Sequence, residues 1–114
     1  MSRDDTSILD ILRAAHLILE FTDSMSREAF TSDLKTQSAV LHQLLVIGEA
    51  VKRLSFEYRA GHPDLPWKRM AGMRDNLIHA YDGIDMKEVW TTITRDIPDL
   101  IQRLKPLVSG EVQK

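Results

Sequence analysis

Apolar residues recur at three- and four-residue intervals along almost the whole chain, and period-two alternation is absent. That spacing predicts helices and no strands. A first helix should start near Asp4 to Thr6, residue types that favour helix N-termini, with Ile8, Ile11, Leu12, Ala15, Ile18 and Leu19 on one face. Thr22-Asp23-Ser24 ends it, and Ser26 opens a short turn of helix. A second long helix is predicted from Ser32-Asp33 to about Ala60, where Gly61 and Pro63 stop it. Its stripe is Val40, Leu44, Ile47, Val51 and Leu54, widened by Leu41, Leu45, Val46 and Ala50. A helix apolar over so much of its circumference is buried on more than one side, by its own bundle alone or by the bundle and a partner subunit. A third helix should begin around Asp64-Leu65-Pro66-Trp67, with proline suited to a first turn, and end near Asp82-Gly83. The last starts after Asp85 and carries Val89, Ile93, Ile97, Leu100, Ile101 and Leu104. Its spacing continues across Pro98, which predicts one kinked helix. The expected fold is all-α: an antiparallel up-and-down bundle of four main helices plus a short extra helix.

Composition narrows the class. The 114 residues show no repeat, low-complexity tract or linker, so a single domain over 1–114 is expected. With no cysteine, disulfides, thiolate metal sites and cysteine nucleophiles are excluded. The opening run Met-Ser-Arg-Asp-Asp-Thr-Ser lacks the form of a signal peptide, and the apolar runs are too short to span a bilayer. A cytoplasmic location without membrane partners is expected. The net charge of −2 argues against bulk electrostatic binding of nucleic acid. Its distribution is uneven: residues 1–48 carry −3, residues 49–81 carry +2 (Lys52, Arg53, Arg59, Lys68, Arg69 and Arg74 against four acids), and the remainder −1. His16, His42, His62 and His79 show no metal-site spacing, so no metal or cofactor is expected.

The basic segment contains the chain's densest chemistry, Met73-Arg74-Asp75-Asn76-Leu77-Ile78-His79-Ala80-Tyr81, an R-x-x-x-x-H-x-Y spacing. Arginine is a permanent phosphate clamp, and imidazole moves a proton near neutral pH. At about 100° per residue, Met70, Met73, Leu77, Ile78 and Tyr81 share one side of the third helix, and Arg74 falls inside that apolar stripe. An arginine facing a core is costly unless an anion or acceptors meet it. The same arithmetic places Tyr81 within about 20° of Arg74 and His79 about 140° away. Arg74 and His79 therefore meet one phosphate only if the helix loosens, the arginine wraps round, or a second subunit completes the site. Asp75, one turn before His79, is placed to accept its ring proton, and Asn76 is a second supporting candidate. Gly48 is expected to permit close helix approach, Glu49 to be solvated or, as the alternative, to reach a partner subunit or a cation, and Trp67 and Trp90 to be packing anchors beside the motif helix.

Ile47-Gly48-Glu49-Ala50, the run Pro66 to Asp85 that holds the motif, and Val89-Trp90 together closely resemble the HepT-like group of HEPN domains. The resemblance covers essentially the whole chain. It implies a homodimeric, metal-independent endoribonuclease, the toxin of a toxin–antitoxin pair, with R-x-x-x-x-H motifs meeting in a cleft between subunits. The family's arginine position is Arg74 and its histidine position is His79. The resemblance further implies a nucleotidyltransferase antitoxin that transfers AMP to the tyrosine of the H-x-Y element, here Tyr81. The chemistry is self-consistent: RNA supplies its own 2′-hydroxyl nucleophile, histidine serves as general acid or base, and arginine neutralises charge on the phosphoryl oxygens. Two alternatives stand beside it. One is a non-catalytic helical dimer that binds a nucleotidyltransferase and is its substrate or regulatory subunit. The other is a housekeeping bundle in which Arg74 merely pairs with a carboxylate.

Overall fold

A computed structural model of the protein describes residues 2–108. The described residues are all-α: α1 (Arg3–Phe21), α2 (Arg27–Thr31), α3 (Leu34–Arg53), α4 (Phe56–Ala60), α5 (Trp67–His79), a 3-10 turn (Tyr81–Gly83), α6 (Met86–Thr91), a π-helical turn (Thr92–Asp96), α7 (Ile97–Leu104) and a final 3-10 turn (Lys105–Val108). Met1 and residues 109–114, part of the expected 1–114 domain, lie outside them.

Local chemistry sets most boundaries. Ser2 caps α1 in a capping box with Asp5, slightly upstream of the expected Asp4–Thr6 start. Ser26 caps α2 through the Ala29 amide, and Asp33 caps α3 through that of Thr36. Caps of this kind are worth about 1 kcal/mol each.

The expectation of one helix from Ser32 to about Ala60 is corrected. α3 stops at Arg53, Leu54 turns extended (φ −66°, ψ 143°), and Ser55 caps the separate α4. The cause lies far away in sequence: the Asp4 carboxylate accepts from the Ser55 amide at 2.8 Å and from its hydroxyl at 2.8 Å. Those two bonds hold the Asp4 carboxyl below the usual carboxylate range, the amide contributing first.

The Asp4–Ser55 contact also joins the start of α1 to the end of α3, so these two helices run antiparallel. Arg69 to Asp96 (2.8 Å) and the Arg103 guanidinium to the Asp64 carbonyl (3.4 Å) place α5 against the α6–α7 run in the same sense. The core is Ile8, Ile11, Ala15 and Ile18 of α1, Val40, Leu44, Ile47 and Val51 of α3, and Ile97, Leu100 and Leu104 of α7. α3 is central: it packs against α1 on one side and α5 on another. The buried Gln37 amide donates to the Phe30 carbonyl at 2.9 Å and ties α2 to it. Trp67 is buried with its indole N–H on the His62 carbonyl (2.9 Å), and Trp90 stacks on Phe30 with ring centroids 5.5 Å apart. Both tryptophans are packing anchors, Trp67 at the start of the motif helix and Trp90 against α2.

The helical run from Met86 to Leu104 is continuous across Pro98. Proline lacks an amide proton and crowds the carbonyl four residues before it. The turn ahead of it widens to the π pattern over Thr92–Asp96, a usual way for a helix to absorb such a residue.

Candidate active site on α5

The site is organised by the crossing of α3 and α5. A Cβ on Gly48 would lie 2.1 Å from the Arg74 Cβ and 3.1 Å from the Met70 carbonyl oxygen, so no residue but glycine fits there without moving α5. This is the close approach expected of Gly48. It lays the arginine stem across bare backbone and carries the guanidinium toward the flank of α3.

Two carboxylates receive it there. Arg74 Nε donates to Glu49 and Nη1 to Asp75 Oδ1 at 2.9 Å. The same Asp75 oxygen accepts from Lys52 Nζ at 2.8 Å. Lys52, Asp75, Arg74 and Glu49 thus form a chain of alternating charge with no net charge. Glu49 first, then Asp75, raises the guanidinium above its ordinary pKa, while Lys52 first, then Arg74, lowers that of Asp75. The Arg74 side chain is 24% exposed. Its Nη2 has no acceptor among the described residues.

Three expectations are corrected here. Glu49 is not simply solvated: it follows Gly48, the residue that admits α5, and so meets the arginine. Asp75 does not bond to His79, because its carboxylate is turned to Lys52 and Arg74. The expectation that Tyr81 shares the Arg74 face rested on a helix that does not reach it. α5 ends at His79, Ala80 leaves the helical region (φ −140°, ψ 40°), and Tyr81 begins a 3-10 turn. Helical arithmetic cannot be carried across that break. Tyr81 is 55% exposed and Ile78 46%, so neither belongs to the core stripe assigned to them, whereas Leu77 is buried.

Arg74 and His79 both lie within α5, so the separation of about 140° between them holds. His79 is exposed and makes no side-chain hydrogen bond among the described residues. Asn76 is exposed too and lines a groove of about 840 Å³ with Gly72, Met73, Ala80, Glu88 and Thr92. None of Arg74, His79 and Tyr81 lines that groove. No group of three or more His, Asp or Glu among the described residues is placed to hold a metal ion. No helix there is long and apolar enough to cross a membrane.

Lys52 is the member that sequence reasoning did not bring to the site, and Glu49 was offered a cation only as the alternative to solvation. Their signal was a glutamate and a lysine three apart, hence neighbours on one helix face, directly after a glycine suited to a helix crossing.

Comparison with known proteins identifies the family of the chain. Residues 11–107 match the family model described as Ribonuclease HepT-like. The chain is 46% identical over 98 residues to the "Probable ribonuclease HepT" of Thermococcus cleftensis, covering 86% of this chain and 89% of that protein. Proteins with provisional RNase names in Caldanaerobacter subterraneus and Methanocaldococcus jannaschii are each 40% identical over 101 residues. These alignments cover 89% of this chain and 90% and 84% of those proteins respectively. No solved structure matches.

Proposed function

The chain belongs to the HepT-like ribonuclease family, and on that premise we propose that it is a metal-independent RNA endonuclease whose site is completed by a second copy of itself. The observation that carries this is the division of α5: an arginine anchored on one face, an exposed histidine about 140° round the helix. One copy presents Arg74 and His79 to different directions, whereas a two-fold pair of copies brings two of each to a shared cleft. Arg74, fixed at Nε and Nη1, keeps Nη2 for a phosphoryl oxygen. His79 takes the proton of the 2′-hydroxyl as that oxygen attacks phosphorus. The His79 of the second copy protonates the departing 5′-oxygen. Strand scission then leaves a cyclic phosphate and a free 5′-hydroxyl, and no step calls for a metal. Asn76, exposed one turn from the histidine, supports the bound strand.

Tyr81 is the off-switch in this proposal. It is exposed on a turn directly after His79, where AMP transfer by a nucleotidyltransferase antitoxin would add bulk and a phosphate at the cleft. The chain would then be the toxin of a toxin–antitoxin pair acting in the cytoplasm.

RNA incubated with the purified protein in EDTA should be cut, and the Arg74→Ala and His79→Ala variants should not cut it. Cleavage that survives both substitutions, or that needs a divalent metal, overturns the mechanism. Mass spectrometry after reaction with the nucleotidyltransferase and ATP should find adenylate on Tyr81.

One observation favours a second reading. The Arg74 charge is already met by Glu49 and Asp75, which also suits a non-catalytic dimer that binds a nucleotidyltransferase as substrate or regulatory subunit. Stable co-purification with that partner, without RNA cleavage or growth arrest, would select it.

A further inference from the structure

Lys52 and Arg74 come from different helices, yet both donate to one atom, Asp75 Oδ1, at 2.8 and 2.9 Å. The two cationic nitrogens are therefore no farther apart than the sum of those distances. Lysine carries three N–H donors, and only one from Lys52 is engaged among the described residues. The Lys52 side chain is 40% exposed and that of Asp75 47%.

As a stability device this is a weak construction, since exposed ion pairs are worth about 0–1 kcal/mol. As a receptor for a polyanion it is well arranged. Arg74 is held from the far side by Glu49, so it stays in place if Asp75 lets go. Among the described residues Lys52 is tied only to Asp75, and it hangs on a flexible four-carbon stem. A strand that brings the scissile phosphate to Arg74 also brings a neighbouring phosphate on either side.

We propose that Lys52 is an RNA-contacting residue of this site. It binds the phosphate next to the one that Arg74 meets. Asp75 is the positioning residue that holds the two cations side by side in the free protein and yields Lys52 to the strand. The inference rests on the ribonuclease reading and adds a residue to it.

The test uses the full chain and a fluorescently labelled single-stranded RNA of mixed sequence. Cleavage by wild type, Lys52→Gln and Lys52→Arg is followed over a range of salt concentration, with melting curves to confirm folding. Lys52→Gln should raise KM about tenfold, the scale of a lost charge-assisted hydrogen bond, and leave kcat within about twofold. It should also reduce the slope of log(kcat/KM) against log salt by about 0.7, one phosphate contact on a single strand, and Lys52→Arg should restore both. A lysine that only buttresses Asp75 and Arg74 would instead lower kcat and leave the salt slope alone. That result, or no change in either quantity while wild type cleaves, overturns the inference and leaves the ribonuclease reading standing. Wild type that fails to cleave overturns that reading, and the inference with it.

Discussion

The two ends of the α5 motif are built in opposite ways. At Arg74 the helix is pressed onto Gly48 of α3, and the side chain is 24% exposed and held by two carboxylates. At His79 and Tyr81 the helix is ending, the side chains face outward, and no side-chain hydrogen bond fixes them among the described residues. The difference follows from what each group does on the proposed reading. A charge clamp works by being in one place, so the fold spends a glycine and two acids to fix it. A proton carrier that acts across a cleft, and a tyrosine that another enzyme modifies, have to be reached from outside.

The largest expected effect separates the two ends by comparing activity with stability. His79→Ala should cut RNA cleavage by about 10²–10⁴-fold, the usual contribution of general acid–base catalysis. Its unfolding free energy should stay within about 0.5 kcal/mol of wild type, as for other exposed positions. Arg74→Ala should lose activity to a similar extent and also melt at a lower temperature, because Glu49 loses its partner. Equal melting temperatures for the two variants would mean that the arginine end is no more anchored than the histidine end.

Next in size is the crossing itself. Gly48→Ala puts a methyl group where the Arg74 Cβ and the Met70 carbonyl already stand. Overpacking of this sort costs about 1–3 kcal/mol, and any relief moves Arg74, so cleavage should fall with stability. Denaturant unfolding and a cleavage assay on the same sample check both. Gly72 is the control within the same pair of helices. A Cβ there meets nothing within 4 Å, so Gly72→Ala should stabilise the protein by about 0.5–1 kcal/mol through helix propensity alone. If Gly72→Ala destabilises instead, something outside this chain, such as a second copy, lies against that face.

How much of this the chain declares in advance depends on the range of the interaction. The start of α2 at Ser26 and the continuity across Pro98 follow from residues within a turn or two, and the periodic pattern shows them. The oddness of Arg74 was equally visible, as a charge inside an apolar stripe. What met that charge was not, because Glu49 lies on another helix and the crossing angle is a tertiary fact. The break at Leu54-Ser55 has the same origin: Asp4, 51 positions earlier, makes it. The end of α5 was misplaced for a local reason, since nothing in Ala80 announces that the helix stops there.

The smallest effect concerns acid. Asp75 is held below its ordinary pKa by Lys52 and then Arg74. A carboxyl whose folded pKa is depressed adds stability that is fully present above its unfolded value, about 3.9. That stability is lost as pH falls through the lower folded value. Wild type should therefore be more stable than Asp75→Asn above about pH 4, and the two unfolding curves should converge as the solution is acidified below it. A difference between wild type and variant that stays constant through that window would show that the carboxylate charge of Asp75 does not anchor the arginine end. Asp4 gives a parallel with a different partner. Its carboxyl is lowered by the Ser55 amide and hydroxyl, not by a cation as its main cause. Added salt should therefore shrink the Asp75 difference and spare most of that seen with Asp4→Asn, since screening weakens exposed ion pairs far more than hydrogen bonds to a backbone amide.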